Sequence, residues 1–174
     1  VDALLQFNVV HRDIKDENIV VDKNYHVKLI DFGSAAFLPT NGRLFDRFAG
    51  TVQYCPPEIL RGEKYRGPEQ EIWSLGVLLF TLMFGEPPFR DPQSTVNGAL
   101  YVPPRSKRVQ GGNFTEAISP HLVKLLCGYS EASVDLLVRM LVKRPTERPT
   151  IKQVLEHPWL KGGSASNSRQ SSLG

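Results

Sequence analysis

The stretch IWSLGVLLFTLMF, residues 72–84, restricts the fold more than any other part of the chain. It is apolar all round, so a helix formed here has no face to offer water. At about 1.5 Å per residue it reaches roughly 20 Å, well short of the roughly 30 Å hydrocarbon core of a bilayer. It therefore reads as a central buried helix around which the other elements pack, with Trp73 and the neighbouring leucines as core rather than a ligand box. Gly85, Pro87 and Pro88 supply the stop. A chain of 174 residues, 41% of them hydrophobic, can cover such a helix within one domain.

The flanking segments predict shorter elements. VDALLQFNVV reads as the end of an amphipathic helix running into a buried strand, with no start signal, so further chain is expected before Val1. IVVD and VKLIDF are β-branched runs separated by KNYH, which is a hairpin pattern. Residues 34–57 keep no period and contain Pro39, Asn41, Gly42 and Gly50, so they read as a long loop. SEASVDLLVRMLVK places Val134, Leu137, Val138 and Leu141 at i, i+3, i+4 and i+7, predicting a helix buried on that face. Ser130 and Ser133 stand ready to cap it. TIKQVLEHPWL predicts a last short helix closed by Pro158 and Trp159, and the Gly/Ser-rich tail 162–174 is expected to be disordered.

Charge and cysteines exclude several classes. A net charge of +3 without a long Lys/Arg block gives no support to a nucleic-acid or membrane partner. Cys55 and Cys127 make neither a disulfide framework nor a metal cluster, which fits a reducing compartment. No secretory leader pattern opens the chain. The expected location is the cytoplasm, with the nucleus as a second compartment.

The chemistry concentrates in HRDIKDEN, residues 11–18, which packs six ionisable side chains and an Asn into eight positions. Phosphoryl transfer from ATP needs a carboxylate at the acceptor hydroxyl, a cation on the moving phosphoryl group and oxygen ligands for Mg²⁺. Asp13, Lys15 and Asn18 are one of each. Thirteen residues after Asn18, the DFG at 31–33 adds a second carboxylate, Asp31, at a strand end. One carboxylate and one amide oxygen suffice for Mg²⁺, which keeps waters and phosphates in the rest of its shell.

H-R-D-x-K-x-x-N followed by D-F-G resembles the C-terminal lobe of a eukaryotic protein kinase. The resemblance covers Val1 to about Pro104 and Ser130 to about Lys161. GTVQYCPPE looks like the end of an activation segment, with Pro57 and Glu58 matching the usual Pro-Glu, and EIWSLGVLLF looks like the family's central helix. The Lys of HRDIK marks the serine/threonine type. DENIVVD, KLIDFGSAA and YRGPEQEIWSLGV look most like PAS-domain-regulated kinases of the calmodulin-kinase-like group, while Pim kinases share LIDFGS and a Pro-Pro-Glu.

The resemblance implies a mainly α fold with a short β-hairpin at the catalytic loop. It also implies ATP and Mg²⁺ as cofactors, and protein substrates with Ser/Thr acceptors. Asp13 would orient the substrate hydroxyl and accept its proton, Lys15 would sit on the γ-phosphate, and Asn18 and Asp31 would hold Mg²⁺. Thr51 would bridge Asp13 and Lys15. Glu17 would lie near the ATP ribose and contact an Arg upstream of the acceptor, giving a basophilic preference. His11 and Phe32 match stacked core positions beside Gly33. Arg148, from RPT at 148–150, would pair with Glu58. Arg12 matches an arginine that commonly binds an activation-segment phosphate; here LFDRFAGT has no hydroxyl before Thr51, so Asp46 is the expected partner.

Three departures qualify the resemblance. Glu71 stands where the family has an Asp that accepts hydrogen bonds from the catalytic-loop backbone. Within the 174 residues there is no G-x-G-x-x-G loop, strand Lys or partner helix Glu, so the N-lobe is expected to be absent. Residues 105–129 interrupt the pattern and read as an insert, either a subfamily loop or translated intron, within a kinase C-lobe spanning 1–161. The reading is a serine/threonine kinase catalytic fragment. The alternatives are a kinase-like binding module without catalysis and a non-functional truncated product.

Overall fold

A computed structural model describes residues 1–103 and 130–162. Its elements in order are α1 (Asp2–Gln6), β1 (Val9–Val10), β2 (Ile19–Val21), β3 (Val27–Leu29), β4 (Ala36–Phe37), α2 (Pro57–Leu60), α3 (Gly67–Phe84), α4 (Pro92–Asn97), α5 (Glu131–Met140), α6 (Ile151–Leu155) and α7 (Pro158–Gly162). Single 3₁₀ turns lie at Asp16–Asn18, Phe32–Ser34, Val52–Tyr54 and Pro145–Glu147. Helices dominate, as expected. The expected insert at 105–129 and nearly all of the expected disordered tail lie outside the described residues.

Helix α3 is the centre of the packing. It starts before the apolar stretch, at Gly67 with Pro68 in its first turn, and ends at Gly85, whose φ of 75° closes the helix in a left-handed turn. Trp73, Val77, Leu78, Phe80, Met83 and Phe84 form one buried cluster with Ile14, Tyr54, Leu137 and Leu141. Ile72 packs on the other side against Leu136, Met140 and Val154. Helix α3 is thus covered by the catalytic loop on one flank and by α5 and α6 on another. That placement ties loop position to the core.

The predicted hairpin is present: β2 and β3 are antiparallel with Ile19 opposite Leu29 and Val21 opposite Val27. Asp22 closes its turn by accepting from the amides of Asn24 and His26. A second antiparallel pair, β1 with β4, joins Val9 to Phe37 and Val10 to Ala36. The span 34–57, expected to be a long loop, therefore contains a strand, and Phe45 forms an isolated antiparallel bridge with Tyr65. Two-residue strands carry no readable alternation, so only the pairing reveals them.

Two further expectations need correction. The buried face of α5 is Ser133, Leu136, Leu137, Met140 and Leu141, whereas Val138 is exposed and Val134 only half-buried. Two apolar stripes share Leu137, and docking against α3 selects the one through Leu136 and Met140. The serine cap is as expected, with Ser130 Oγ accepting from the Ser133 amide at 3.1 Å. Pro158 and Trp159 do not close a helix; they open α7, because proline in a first helical turn loses no hydrogen bond.

Candidate active site

The catalytic loop leaves β1 and is fastened at once to α3. Glu71, almost wholly buried, accepts from the His11 amide at 3.1 Å and the Arg12 amide at 2.7 Å. The extra methylene of Glu is therefore accommodated. Burial pushes the Glu71 carboxyl pKa up, and the two amide donors pull part of the way back. Arg12 has φ of 65°, strained for a non-glycine residue, and needs such anchoring. Ile14 then drops into the α3 core, and the Asp16–Asn18 turn is held by Tyr54, whose hydroxyl donates to Asp16 Oδ1 at 2.6 Å. Burial and Asp16 together push the Tyr54 pKa well up, so the phenol stays a donor.

Between these anchors four side chains converge. Thr51 Oγ1 donates to Asp13 Oδ1 at 2.7 Å and receives Lys15 Nζ at 2.9 Å. Lys15 Nζ lies 3.2 Å from Asp13 Oδ2. Asn18 Nδ2 donates to the Asp13 carbonyl at 2.9 Å and to Asp13 Oδ2 at 3.1 Å. Burial alone would raise the Asp13 pKa, but the bonds from Thr51, Lys15 and Asn18 and the Lys15 charge outweigh it, leaving the carboxyl below its ordinary range. The group is a carboxylate at neutral pH. Thr51 lies 38 residues from Asp13, so the fold assembles this cluster.

Asp31 sits at the end of β3 with φ of 59°, and its Oδ1 accepts from the Gly33 amide at 3.1 Å. The Ile30 amide donates to the Asn18 carbonyl at 2.9 Å, which brings the DFG strand alongside the catalytic loop. The donor chemistry suits Mg²⁺: both Asn18 amide hydrogens face Asp13, which leaves the amide oxygen for a cation, and Asp31 is exposed with one oxygen uncommitted. Among the described residues, no group of three or more His, Cys, Asp or Glu could hold a metal ion. A two-ligand site with open positions is what these residues can offer.

His11 is core, fully buried, with Nε2 donating to the Ile30 carbonyl at 3.1 Å. Phe32 meets it edge-on at 5.0 Å between ring centroids. Phe32 is not core, however: it is 51% exposed, because His11 covers only one side of its ring. Arg12 does not pair with Asp46. Its Nε donates to the Ser34 carbonyl at 2.7 Å, and its guanidinium lies 5.0 Å from the centre of the Phe45 ring. Phe45 in turn stacks on Tyr65. The sequence offered no signal for Phe45 or Tyr54 beyond their being aromatic.

Arg148 and Glu58 meet as predicted, in two hydrogen bonds of 2.7 Å. Glu17 lies 4.0 Å from Lys15 with its side chain 68% exposed. Among the described residues, no helix is long and apolar enough to cross a membrane.

Residues 1–160 match the protein kinase domain family. The PAS domain-containing serine/threonine-protein kinase of Mus musculus is 41% identical over 152 residues, 87% of this chain and 9% of that protein. Serine/threonine-protein kinase PSK2 of Saccharomyces cerevisiae is 40% identical over 153 residues, 88% of this chain and 12% of that protein. Serine/threonine-protein kinase ppk6 of Schizosaccharomyces pombe is 39% identical over 156 residues, 90% and 17% respectively. The chain thus spans less than a fifth of the length of each of these relatives. A match this long and the backbone pairing of the DFG strand with the catalytic loop agree: the chain belongs to the protein kinase domain family, and it is similar to serine/threonine kinases that include a PAS domain-containing one.

Proposed function

We propose that these residues form the catalytic half of a serine/threonine protein kinase, which transfers the γ-phosphoryl group of ATP to a Ser or Thr hydroxyl of a protein. The observation that carries this reading is the Asp13 carboxylate, oriented by Thr51 and Asn18 with the Lys15 ammonium 3.2 Å away. Asp13 Oδ1 accepts from Thr51 and Oδ2 faces Asn18 and Lys15, so the acceptor hydroxyl is met by a remaining lone pair of the oriented carboxylate. With its pKa lowered, Asp13 is a weak base. It aligns the hydroxyl and takes the proton late, as the new O–P bond forms and the bond to the leaving ADP oxygen breaks. Lys15 balances the charge beside it. Mg²⁺, when bound, neutralises charge on the phosphates, and Asn18 and Asp31 are the residues that would hold it. The exposed carboxylate of Glu17 is suited to a basic residue upstream of the acceptor.

The 174 residues contain no glycine-rich phosphate loop, and we propose that transfer requires one supplied by additional chain. Purified chain with radiolabelled ATP and a basic Ser peptide is expected to show no turnover. The protein extended by a glycine-rich lobe is expected to phosphorylate that peptide and to lose this in Asp13→Asn. Turnover by the isolated chain that disappears in Asp13→Asn would disprove the need for the extra lobe. No transfer by the extended protein to any Ser/Thr peptide would sink the kinase reading. Peptides lacking the upstream Arg, tested against Glu17→Ala, decide the basophilic preference.

A further inference from the structure

The strained catalytic-loop residue Arg12 is held by more than Glu71. Gln70, the preceding residue of α3, is 2% exposed, and its Nε2 donates to the Arg12 carbonyl at 3.2 Å. Consecutive α3 side chains thus hold both ends of one residue: Glu71 takes the Arg12 amide and Gln70 the Arg12 carbonyl. On the carbonyl's other side lies Gly50, where an added Cβ would stand 2.2 Å from the Arg12 oxygen and 3.4 Å from Asp13 Oδ1. Gly50 has φ of 117° and directly precedes Thr51, the residue that donates to Asp13. The Arg12 carbonyl is therefore the point where α3, the catalytic loop and the Gly50 bend of the activation segment meet.

Gln70 is a costly residue for this position. Its Oε1 is buried and has no hydrogen-bond partner, so the amide carries an unmet desolvation penalty that an apolar side chain would avoid. Its orientation is determined by what it faces: a carbonyl oxygen can only be paired by the NH₂ end. Stability alone does not explain a half-satisfied amide in the core, whereas fixing the peptide before Asp13 does. We infer that Gln70 is a positioning residue, which sets the Asp13 carboxylate by holding the Arg12 carbonyl against Gly50.

This inference rests on the kinase reading only for its effect on rate, so its test has two arms. In the full-length protein, Gln70→Met keeps the volume and removes both amide poles. It is expected to lower kcat about tenfold, the equivalent of one hydrogen bond, while KM for ATP and the melting temperature stay near wild type. Gln70→Glu adds a pH readout: a neutral acid can still donate to the Arg12 carbonyl, but a carboxylate repels it. Its kcat relative to wild type should therefore fall as pH rises from mildly acidic to mildly alkaline. A ratio that stays constant with pH, or an unchanged kcat in Gln70→Met, overturns the inference. The second arm needs no turnover. Amide hydrogen exchange of the His11 and Arg12 amides should accelerate in Gln70→Met, and unchanged exchange overturns the inference even if the protein proves not to be a kinase. If Gln70→Met fails to fold, Gln70→Glu decides alone through its pH profile.

Discussion

Two carboxylate–cation groupings in this protein behave as opposites. Arg148 and Glu58 face each other with side chains 0% and 3% exposed, and all five guanidinium N–H groups are used: on both Glu58 oxygens and on the carbonyls of Val142, Lys143 and Glu69. Nothing is left over. Lys15 and Asp13 lie 3.2 Å apart with side chains 19% and 11% exposed, sharing Thr51 and Asn18 in a pattern that keeps capacity for another group. The closed pair ties α2 to the chain after α5 and to α3. The open pair sits on a strained loop and keeps hydrogen-bonding capacity unused within the fold. Saturation of hydrogen bonding, rather than the presence of charge, separates architecture from chemistry here.

The largest test breaks the closed pair. Arg148→Ala leaves Glu58 buried without a partner and should cost roughly 3–5 kcal/mol in denaturant unfolding. Replacing both Arg148 and Glu58 with Met should recover most of it, and failure to recover would mean that the carbonyl contacts of Arg148 matter more than Glu58. Next comes the open pair: Asp13→Asn in the lobe-extended protein should lower kcat by about 10²–10⁴ while moving stability by less than about 1 kcal/mol. A large loss of stability would place Asp13 with the architecture instead.

The pH dependence sharpens the contrast on a smaller scale. Asp13 has a folded pKa below the ordinary 3.8, so it contributes stability above that value that is lost as pH falls through the folded pKa. Glu71 is raised above 4.5, so stability is fully present below that pH and declines as pH rises through its folded pKa. Melting temperatures against pH should show a shallower acid slope in Asp13→Asn and a shallower decline above 4.5 in Glu71→Gln. If both variants alter the same limb, one of these assignments is wrong.

The smallest effect concerns Lys143, beside the closed pair. Burial, then repulsion from Arg61 and Arg148, push its pKa down to about 8, although the Phe89 ring 3.8 Å away favours the charged form. Its ammonium also donates to the Thr95 carbonyl. A lowered lysine pKa means that stability rises as pH climbs from about 8 toward 10.5. Lys143→Met should flatten that rise. A wild-type melting temperature that falls across this window would show that the aromatic rings dominate.

Much of this was legible in the residues, and particular elements show why. The apolar run gave away α3 because only Ser74 and Thr81 interrupt it, and the β-branched runs either side of KNYH gave away the hairpin. Asp13, Lys15, Asn18 and Asp31 were readable because two motifs carry them at nearly fixed spacing. Thr51, Glu58 and Arg148 were readable through the resemblance, although Arg148 lies 90 residues from its partner. The face of α5 was misread because its helix has two apolar stripes, and local sequence does not say which one a neighbour will cover. Phe32 was expected in the core and stands half-exposed for the same reason.

What the sequence by itself determined is the identity of the candidate-site side chains and of the central helix, since side-chain chemistry and an almost wholly apolar run are local properties. What only the tertiary structure decided is their pairing. Arg12 took Ser34 and Phe45 rather than Asp46, and Gln70 took the Arg12 carbonyl. Asp13 acquired a lowered pKa from partners as distant as Thr51. Each of these depends on which groups burial brings within about 3 Å of one another, and a hydrogen bond's strength falls away too steeply with distance and angle for sequence spacing to stand in for it.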